Sequence, residues 1–345
     1  MAKKKALVTG ILGQDGAYLT KLLVERGYEV YGAARRSASW NSWRLRDVDV
    51  ERHVKFEYFD LLEYENMRRL IDRLRPDEVY NLAAQSFVGS SFEQPLYTAD
   101  ADAMGVLRLL EVCRGVDKAI RFYQASSSEM YGGVSPVALN ETTPFHPRSP
   151  YAVAKAFGHH ATVNYRESYG MHACAGILFN HESPLRGREF VTRKITATLA
   201  EMKAGAPTTL RLGNLDAKRD WGFAGDYVEA IHMMVCAETA DDYVIATGQT
   251  RSVREFVLAA AAALGFELDW SGSGVDEKAR DRRTGKVLVE ISPEFFRPAE
   301  VHTLLGDSSK ARRELGWSPK VDFDGLVTMM ARADYDRVKA GQQLM

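Results

Sequence analysis

A short apolar stretch runs directly into a turn with three evenly spaced glycines near the start of the chain. It reads Leu-Val-Thr-Gly-Ile-Leu-Gly-Gln-Asp-Gly from Leu7 onward, so that Gly10, Gly13 and Gly16 follow a G-x-x-G-x-x-G spacing. This spacing is typical of a strand, a tight turn and a helix whose N-terminal amides face phosphate groups. The sequence therefore predicts a dinucleotide site at the first strand-to-helix turn.

A second motif, Tyr151-Ala-Val-Ala-Lys155, places a phenol and an ammonium one turn apart on the same face of a helix. A phenol with its ordinary pKa of about 10 is a poor base, and we expect Lys155 to lower the pKa of Tyr151. This spacing is common on helix surfaces, so the motif is informative because it follows the glycine turn. In this order the two motifs predict an enzyme that moves a proton and a hydride.

An acidic residue stands close to these groups. The run Ala125-Ser126-Ser127-Ser128-Glu129 is predicted to follow a strand, at the sheet edge where ligands of open α/β folds bind. A plain alcohol dehydrogenase needs hydroxyl donors and a tyrosine there but has no use for a carboxylate. Glu129 is placed to remove a carbon-bound proton next to a ketone, and the alternative is a solvated loop acid.

Length and charge restrict the classes of protein to consider. The 345 residues, 46% hydrophobic, are enough for two lobes. A formal net charge of −1 argues against general attraction to nucleic acid or to an anionic membrane. Three widely spaced cysteines favour a reducing compartment, and the apolar run after Lys5 is too short for a signal peptide or a membrane span. We therefore expect a cytoplasmic protein.

Neither a metal site nor a serine nucleophile is predicted. His159 and His160 are adjacent and point to different helix faces. The sequence contains no H-x-x-x-H, C-x-x-C or G-x-S-x-G pattern.

The first half of the chain alternates between strand and helix patterns. Repeated βα units predict an α/β fold of the Rossmann type, with a doubly wound parallel sheet and right-handed crossovers. The predicted strands are 6–9, 28–33, 54–59, 78–83, 119–125 and 173–179. The predicted helices are 15–26, 67–74, 96–114 and 150–169.

The pattern becomes irregular after residue 180. Helices are predicted at 190–204, 226–237 and 253–264, strands at 209–212 and 242–247, and a loop at 271–283. We expect a smaller, discontinuous C-terminal lobe for the substrate, with the cleft between the lobes. The predicted boundaries are 1–179 plus about 214–250 for the cofactor-binding Rossmann domain, and about 180–213 plus 251–345 for the second lobe.

The end of the second predicted strand indicates which cofactor is bound. Enzymes of this fold that use NAD usually carry an acid there, whereas this chain has Arg35, Arg36 and Ser37. Two guanidiniums and a hydroxyl suit a ribose 2′-phosphate, so NADP is favoured, and the alternative is a solvated basic loop.

The ends of the third and fourth strands are expected to line the same cofactor. Asp60 and Leu61 are placed to meet the adenine edge, and residues 82–86 to pass beneath the nicotinamide. The alternative is an ordinary strand-to-helix turn.

Basic residues cluster in the second half of the chain. Arginine forks suit diphosphates, so we expect an anionic ligand here, against the alternative of a solvated face. The residues are Arg186, Arg188, Arg193, Lys194, Lys218, Arg219, Arg280 and Arg297.

On these residues the chain resembles the GDP-mannose 4,6-dehydratase family of extended short-chain dehydrogenases/reductases. The resemblance extends from about Lys5 to Phe323, and its most specific stretch is LGNLDAKRDW at 212–221. Other specific stretches are 9–16, 123–132, 180–184 and 190–195.

The resemblance implies a role for each matching residue. The catalytic residues would be Ser127, Glu129, Tyr151 and Lys155. NADP would be held by Gly10, Ile11, Leu12, Gly13, Gln14, Asp15, Gly16, Arg35, Arg36, Ser37, Asp60, Leu61, Leu82, Ala83, Ala84, Gln85, Ser86, Tyr97, Lys155, His181 and Arg186. GDP-mannose would be bound by Asn180, Thr192, Lys194, Asn214, Lys218, Arg219, Arg280 and Arg297.

Four features depart from the family pattern. Ser127 stands where the family commonly has threonine, Phe87 replaces a usual histidine and Leu185 a usual arginine. The stretch 41–53 is shorter than usual. In the family this stretch takes part in subunit contacts, so a homodimer or a homotetramer is implied.

The implied reaction is a dehydration without net redox, carried out by a hydro-lyase. Tyr151 would take the proton of the sugar 4-hydroxyl while the C4 hydride passes to NADP⁺, and Glu129 would then remove the C5 proton. Water would leave from C6 and the hydride would return there, giving GDP-4-dehydro-6-deoxy-D-mannose for deoxyhexose biosynthesis. The alternatives are a nucleotide-sugar epimerase or 4-reductase of the same fold, or a non-catalytic protein that senses NADP.

Overall fold

The computed structural model describes residues 3–133, 138–295 and 303–344. The strands in chain order are β1 Lys5–Thr9, β2 Glu29–Ala34, β3 Val54–Tyr58, β4 Glu78–Asn81, β5 Arg121–Ser127, β6 Ala173–Leu178, β7 Asn180–Glu182, β8 Leu210–Leu212, β9 Lys218–Arg219, β10 Trp221–Phe223, β11 Asp242–Ile245, β12 Arg251–Ser252, β13 Leu268–Ser271, β14 Lys278–Asp281, β15 Val287–Ile291 and β16 Thr303–Leu304.

The helices alternate with these strands in the first half of the chain. In chain order they are α1 Gln14–Glu25, α2 Trp43–Asp47, α3 Tyr64–Leu74, α4 Val88–Glu93, α5 Pro95–Ala99, α6 Gly105–Val116, α7 Pro150–Tyr169, α8 Val191–Lys203, α9 Ala224–Cys236, α10 Val253–Ala263, α11 Ser309–Leu315 and α12 Phe323–Lys339. A π-helical turn, Asp100–Met104, joins α5 to α6.

Seven parallel strands form the central sheet, in the order β11-β6-β5-β4-β1-β2-β3. Helices cover both faces, and strands such as β4 and β6 are buried throughout because a parallel sheet is covered on both sides. The predicted doubly wound α/β fold is confirmed. The predicted strand 242–247 is also present, as β11 at the sheet edge beside β6.

Local sequence explains where α7 begins and ends. The Ser149 side chain accepts a hydrogen bond from the Ala152 amide at 3.1 Å, and Pro150 occupies the first helical position. Gly170 ends the helix in the left-handed conformation, with φ +68°. The helix therefore has the bounds predicted from the sequence, and the Tyr151–Lys155 motif lies in its first two turns.

The predicted helix 96–114 is interrupted. The chain forms α5, the π-helical turn and α6 in succession, and the turn packs against α7. A π-helical turn adds a residue to the helical repeat and is frequent at functional sites.

A second hydrophobic cluster lies in the C-terminal half. Helices α8, α10 and α12 pack on the sheet β13-β14-β15-β8, with Phe256, Leu326 and Met330 fully buried. The prediction of a loop at 271–283 is wrong, because β14 lies within it, paired with β13 and β15. In this charged strand Arg280 is exposed, while Ala279 and Asp281 are buried. The domain boundaries given above stay a prediction.

Within the described ranges, no helix combines the length and the apolar character needed to cross a bilayer.

Candidate active site

A cavity of about 1090 Å³ opens at the carboxyl ends of the central strands, with walls from the central sheet and from the C-terminal half of the chain. It brings together residues that are far apart in sequence. The predicted site residues in its wall are Gly10, Gly13, Gln14, Asp15, Gly16, Leu82, Ala84, Ser86, Ser127, Glu129, Tyr151, Lys155, Asn180, His181, Arg186, Thr192, Lys194, Asn214 and Arg219.

The glycine turn leaves no room for a side chain at Gly10 or Gly16. Gly10 has φ +68°, and a Cβ atom there would lie 2.8 Å from the Ala83 nitrogen. A Cβ on Gly16 would lie 2.6 Å from the Gly10 carbonyl oxygen. Gly13 precedes α1 with no side chain over the helix start, so the first amides of α1 face the cavity side of the turn. These features match the fit that a dinucleotide diphosphate requires.

Thr9 fastens this turn to the neighbouring strand. Its hydroxyl oxygen accepts hydrogen bonds from the amides of Leu82 and Ala83, each at 3.1 Å, and donates to the Asn81 side chain at 2.7 Å. The first and fourth βα turns are therefore held side by side at the sheet edge.

Tyr151 and Lys155 are both buried in the cavity wall. The Lys155 ammonium donates to the Ala125 carbonyl at 2.9 Å and lies 5.7 Å from the centre of the Tyr151 ring. Burial, with the charge of Asp102, raises the pKa of Tyr151, and the Ser127 hydroxyl and Arg186 only partly oppose this. The sequence predicted a lower pKa for Tyr151. This prediction is wrong for the protein without cofactor, because burial outweighs the Ser127 hydrogen bond and the Arg186 charge.

Glu129 and Ser127 lie on the strand end that faces Tyr151. The Glu129 amide donates to the Ser127 hydroxyl oxygen at 3.2 Å at the start of a 3₁₀ turn, Ser128–Tyr131. Glu129 and Tyr151 both line the cavity, and the Glu129 charge contributes to the raised pKa of Tyr151. One wall of the cavity therefore contains the Tyr151 phenol, the Ser127 hydroxyl and the Glu129 carboxylate.

His181 and Asp15 join the glycine turn to β7. The His181 Nε2 atom lies 2.9 Å from the Asp15 carboxylate, and its ring stacks on Tyr227. Burial alone lowers the pKa of His181, but the charge and hydrogen bond of Asp15 reverse the direction, and the net pKa is raised. The pKa of Asp15 is lowered in spite of its burial, by the charges of His181 and Arg186.

Other predicted cofactor residues surround the carboxyl ends of β2 and β3, outside the cavity wall. Arg35 directly follows β2 and donates to the Tyr97 hydroxyl at 2.7 Å. Arg36 lies 5.8 Å from the Tyr58 ring centre, and Asp60 accepts from the Leu62 amide at 3.0 Å. Ser37 and Leu61 also follow β2 and β3 outside the wall, and the predicted cofactor residues outside the wall that follow β1 and β4 are Ile11, Leu12, Ala83 and Gln85.

The predicted substrate residues divide into several groups. Lys194 lies in the wall, with its ammonium 3.3 Å from the Phe295 ring centre. Lys218 and Arg280 lie outside the wall, and Arg297 is outside the described residues.

Arg193 of the basic cluster is fully buried and its guanidinium lies 2.8 Å from the Asp334 carboxylate. The expectation that Arg193 meets an anionic ligand is therefore wrong.

Two buried acids near the cavity were missed in the sequence. Glu182 lies in the wall and pairs with Arg186 four residues later, a spacing that could have been noticed. Asp102 lies in the π-helical turn and accepts from the Gln85 amide at 2.7 Å; burial raises its pKa to about 6 against the opposing charge of Lys155. The sequence contains no signal for the π-helical turn, so Asp102 could not have been identified.

Residues 7–330 match the family described as GDP-mannose 4,6 dehydratase. The chain belongs to this family. The GDP-mannose 4,6-dehydratase of Yersinia enterocolitica is 50% identical over 353 residues, covering 97% of this chain and 95% of that protein. GDP-mannose 4,6 dehydratase 1 of Arabidopsis thaliana is 52% identical over 347 residues, covering 98% and 91%. The resemblance inferred from the motifs is thus confirmed.

A solved structure shows the same fold. UDP-glucose 4-epimerase from Thermus thermophilus, in complex with NAD, has a TM-score of 0.79 and 27% sequence identity to this chain. The match covers 96% of this chain and 98% of that one.

Proposed function

We propose that this chain is a GDP-mannose 4,6-dehydratase, a hydro-lyase that converts GDP-D-mannose to GDP-4-dehydro-6-deoxy-D-mannose. The observation that carries the proposal is the presence of Tyr151 and Glu129 in one cavity wall, in a chain of this family. An epimerase or a reductase of this fold needs the tyrosine but has no evident use for the acid. This combination favours dehydration over both.

The proposed cofactor is NADP. The glycine turn suits its diphosphate, and the structural neighbour from Thermus thermophilus binds a nicotinamide dinucleotide. Arg35 and Arg36 follow β2, at the sheet edge where the ribose 2′-phosphate is expected. When bound, NADP supplies the group that accepts a hydride from C4 of the sugar and returns it to C6.

The protein's own side chains move the protons. Tyr151 takes the proton of the 4-hydroxyl and later returns it to C5. It does so as a phenolate, which requires the positive charge of the oxidised nicotinamide to offset the burial that raises the pKa of Tyr151 in the protein alone. Glu129 takes the C5 proton, made acidic by the C4 ketone, and passes it to the departing C6 hydroxyl. One water leaves, and both side chains end in their starting protonation states. Ser127 donates a hydrogen bond beside them.

We further propose a cytoplasmic homo-oligomer, a homodimer or a homotetramer. Large apolar side chains are exposed on neighbouring helices, including Leu96 of α5, at 84%, and Val153 and Phe157 of α7. Such a patch is typical of an interface. Light scattering should give at least twice the chain mass for the wild type and a smaller mass for Phe157→Glu.

The deciding experiment is incubation of the purified protein with GDP-mannose deuterated at C4. The expected product has lost one water, carries a ketone and keeps the label at C6 of the same molecule. An epimerase would give a product of unchanged mass, and a cofactor-sensing protein would give none. Comparable dehydration of dTDP-glucose, or loss of the label to solvent, would contradict the proposal.

A further inference from the structure

Glu182 is an unusual residue for a cavity expected to receive anions. It ends β7, its side chain is 2% exposed, and it lies in the cavity wall. Burying a carboxylate is costly unless it is paired, and in such a cavity it would also repel a phosphate. Its neighbours therefore determine what it does.

Two groups meet the same oxygen of Glu182. The Thr192 hydroxyl donates to Oε2 at 2.5 Å, and Nε of Arg186 lies 3.1 Å from the same atom. Thr192 is 1% exposed and stands in the first turn of α8. Its hydroxyl proton is therefore committed to Glu182, and the oxygen could only accept a hydrogen bond from a sugar nucleotide, so the substrate role implied by the family resemblance stays a prediction.

Arg186 is held from a second side by an aromatic ring. Its guanidinium lies 3.5 Å from the ring centre of Phe190, which in turn meets Phe87 edge to face. The Glu182 charge attracts the Nε edge of the guanidinium, although Nε makes no hydrogen bond, and the Phe190 ring restricts its plane, so part of the rotamer freedom of Arg186 is already lost before binding.

The charge of Arg186 acts at the centre of the cavity. It lowers the pKa of Asp15 in the glycine turn and of Tyr151 in α7, and it opposes protonation of His181. Arg186 lines the same cavity as Asp15 of the glycine turn and Tyr151, the base that begins the proposed reaction.

We propose that Glu182 is a positioning residue that, with Thr192 and Phe190, holds Arg186 in the orientation in which its free nitrogens bind the cofactor phosphates. This inference rests on the proposed NADP-binding function. Glu182 itself touches neither cofactor nor sugar. Its negative charge is offset by Arg186, so the cavity keeps its attraction for anions.

The chain contains a matched arrangement away from the cavity. Arg193 lies 2.8 Å from Asp334, and the Thr196 hydroxyl donates to the same carboxylate at 2.7 Å. This group has a similar set of residue types and is equally buried, but it joins α8 to α12 instead of lining the site. Asp334→Asn therefore controls for general loosening of α8.

The test is a double-mutant cycle, read by titration of NADP and of NAD into the protein and by melting temperature. Glu182→Gln should weaken cofactor binding on the order of tenfold, and Arg186→Met by at least as much. In the Arg186→Met background, Glu182→Gln should change the Kd less than about twofold, because its effect passes through Arg186. Asp334→Asn should lower the melting temperature and leave the Kd within about twofold.

A second pair of variants keeps the test decisive if Glu182→Gln does not fold. Thr192→Val removes the hydroxyl at similar volume and should weaken binding about threefold, whereas Thr192→Ser keeps the hydroxyl and should bind like the wild type. The inference is overturned by equal effects of Glu182→Gln with and without Arg186, by Asp334→Asn weakening binding as much, or by Thr192→Val binding like the wild type. A wild type that binds neither cofactor would instead overturn the proposed function.

Discussion

The Asp15 carboxylate and the His181 ring lie 2.9 Å apart and connect the first turn of α1 to β7. The other ring nitrogen of His181 lies 2.8 Å from the Phe179 carbonyl oxygen. Both partners accept hydrogen bonds, so the ring satisfies both when it carries two protons. The raised pKa of His181 and the lowered pKa of Asp15 agree with an ion pair.

This pair predicts a pH-dependent stability. Because folding raises the pKa of His181, this group stabilises the folded protein fully below about pH 6.5, the pKa of histidine in the unfolded chain. That stabilisation is lost as the pH rises through the pKa of His181 in the folded protein. Because folding lowers the pKa of Asp15, the stabilisation of the folded protein by this carboxylate is lost only as the pH falls below about 4. The free energy of unfolding should therefore decrease above about pH 6.5, by on the order of 1–2 kcal/mol.

The measurement is urea unfolding at several pH values, with His181→Gln as the comparison. The variant should be less stable at pH 6 and should show a flatter dependence between pH 6 and 9. An unchanged slope would show that another group titrates in this range.

The parts of the fold that depend on local sequence were predictable. The first turn and both ends of α7 could be located from adjacent residues in the sequence. The reason is that the backbone conformations of Gly10, Pro150 and Gly170 depend on the residue itself. The charged strand β14 was missed, because its pairing with β13 and β15 depends on residues outside any local window.

Among the site residues, the sequence could identify the groups but not their partners. Arg193 has the residue type of an anion ligand, and only the contact with Asp334, from a distant helix, shows that it is structural. The predicted link from Lys155 to the Tyr151 pKa failed for a similar reason. Burial by the whole fold determines the direction of that pKa, and burial cannot be read from a five-residue motif.

Gly16 should tolerate no side chain. A Cβ there would lie 2.6 Å from the Gly10 carbonyl oxygen, so Gly16→Ala should destabilise the protein by about 1–3 kcal/mol and weaken cofactor binding. Gly115 in α6 is the control, since a Cβ there meets no atom within 4 Å. Gly115→Ala should stabilise by about 0.4–1 kcal/mol and bind cofactor normally. Thermal unfolding and a binding titration measure both, and equal stabilities of the two variants would contradict the steric argument.

Arg35 should discriminate between the two nicotinamide dinucleotides. A charged contact to the 2′-phosphate contributes on the order of 1.5–3 kcal/mol, so Arg35→Ala should weaken NADP binding by at least about tenfold and leave NAD binding nearly unchanged. Arg69→Ala, at an exposed arginine of α3, should affect neither. Direct titration of both cofactors decides, and equal losses for both would show that Arg35 does not contact the phosphate.

Tyr151 and Glu129 should fail at different steps of the reaction. Tyr151→Phe cannot take the proton of the 4-hydroxyl, so it should form neither keto sugar nor reduced cofactor, with the rate falling about 10²–10⁴-fold. Glu129→Gln keeps the shape and the hydrogen-bonding capacity of the acid but cannot take the C5 proton. In a single turnover it should therefore accumulate the absorbance of reduced cofactor without releasing a 6-deoxy product.

Another carboxylate in the same wall provides the control for this pair. Glu189 is exposed at the cavity, and Glu189→Gln removes one negative charge without touching the proposed proton path. It should turn over like the wild type in ²H₂O and place deuterium at C5 of the product, whereas Glu129→Gln should give no product to carry the label. Normal turnover of Glu129→Gln would remove the acid from the mechanism. The Tyr151 chemistry alone would then describe a reductase or an epimerase, because neither of those reactions has to expel the C6 hydroxyl.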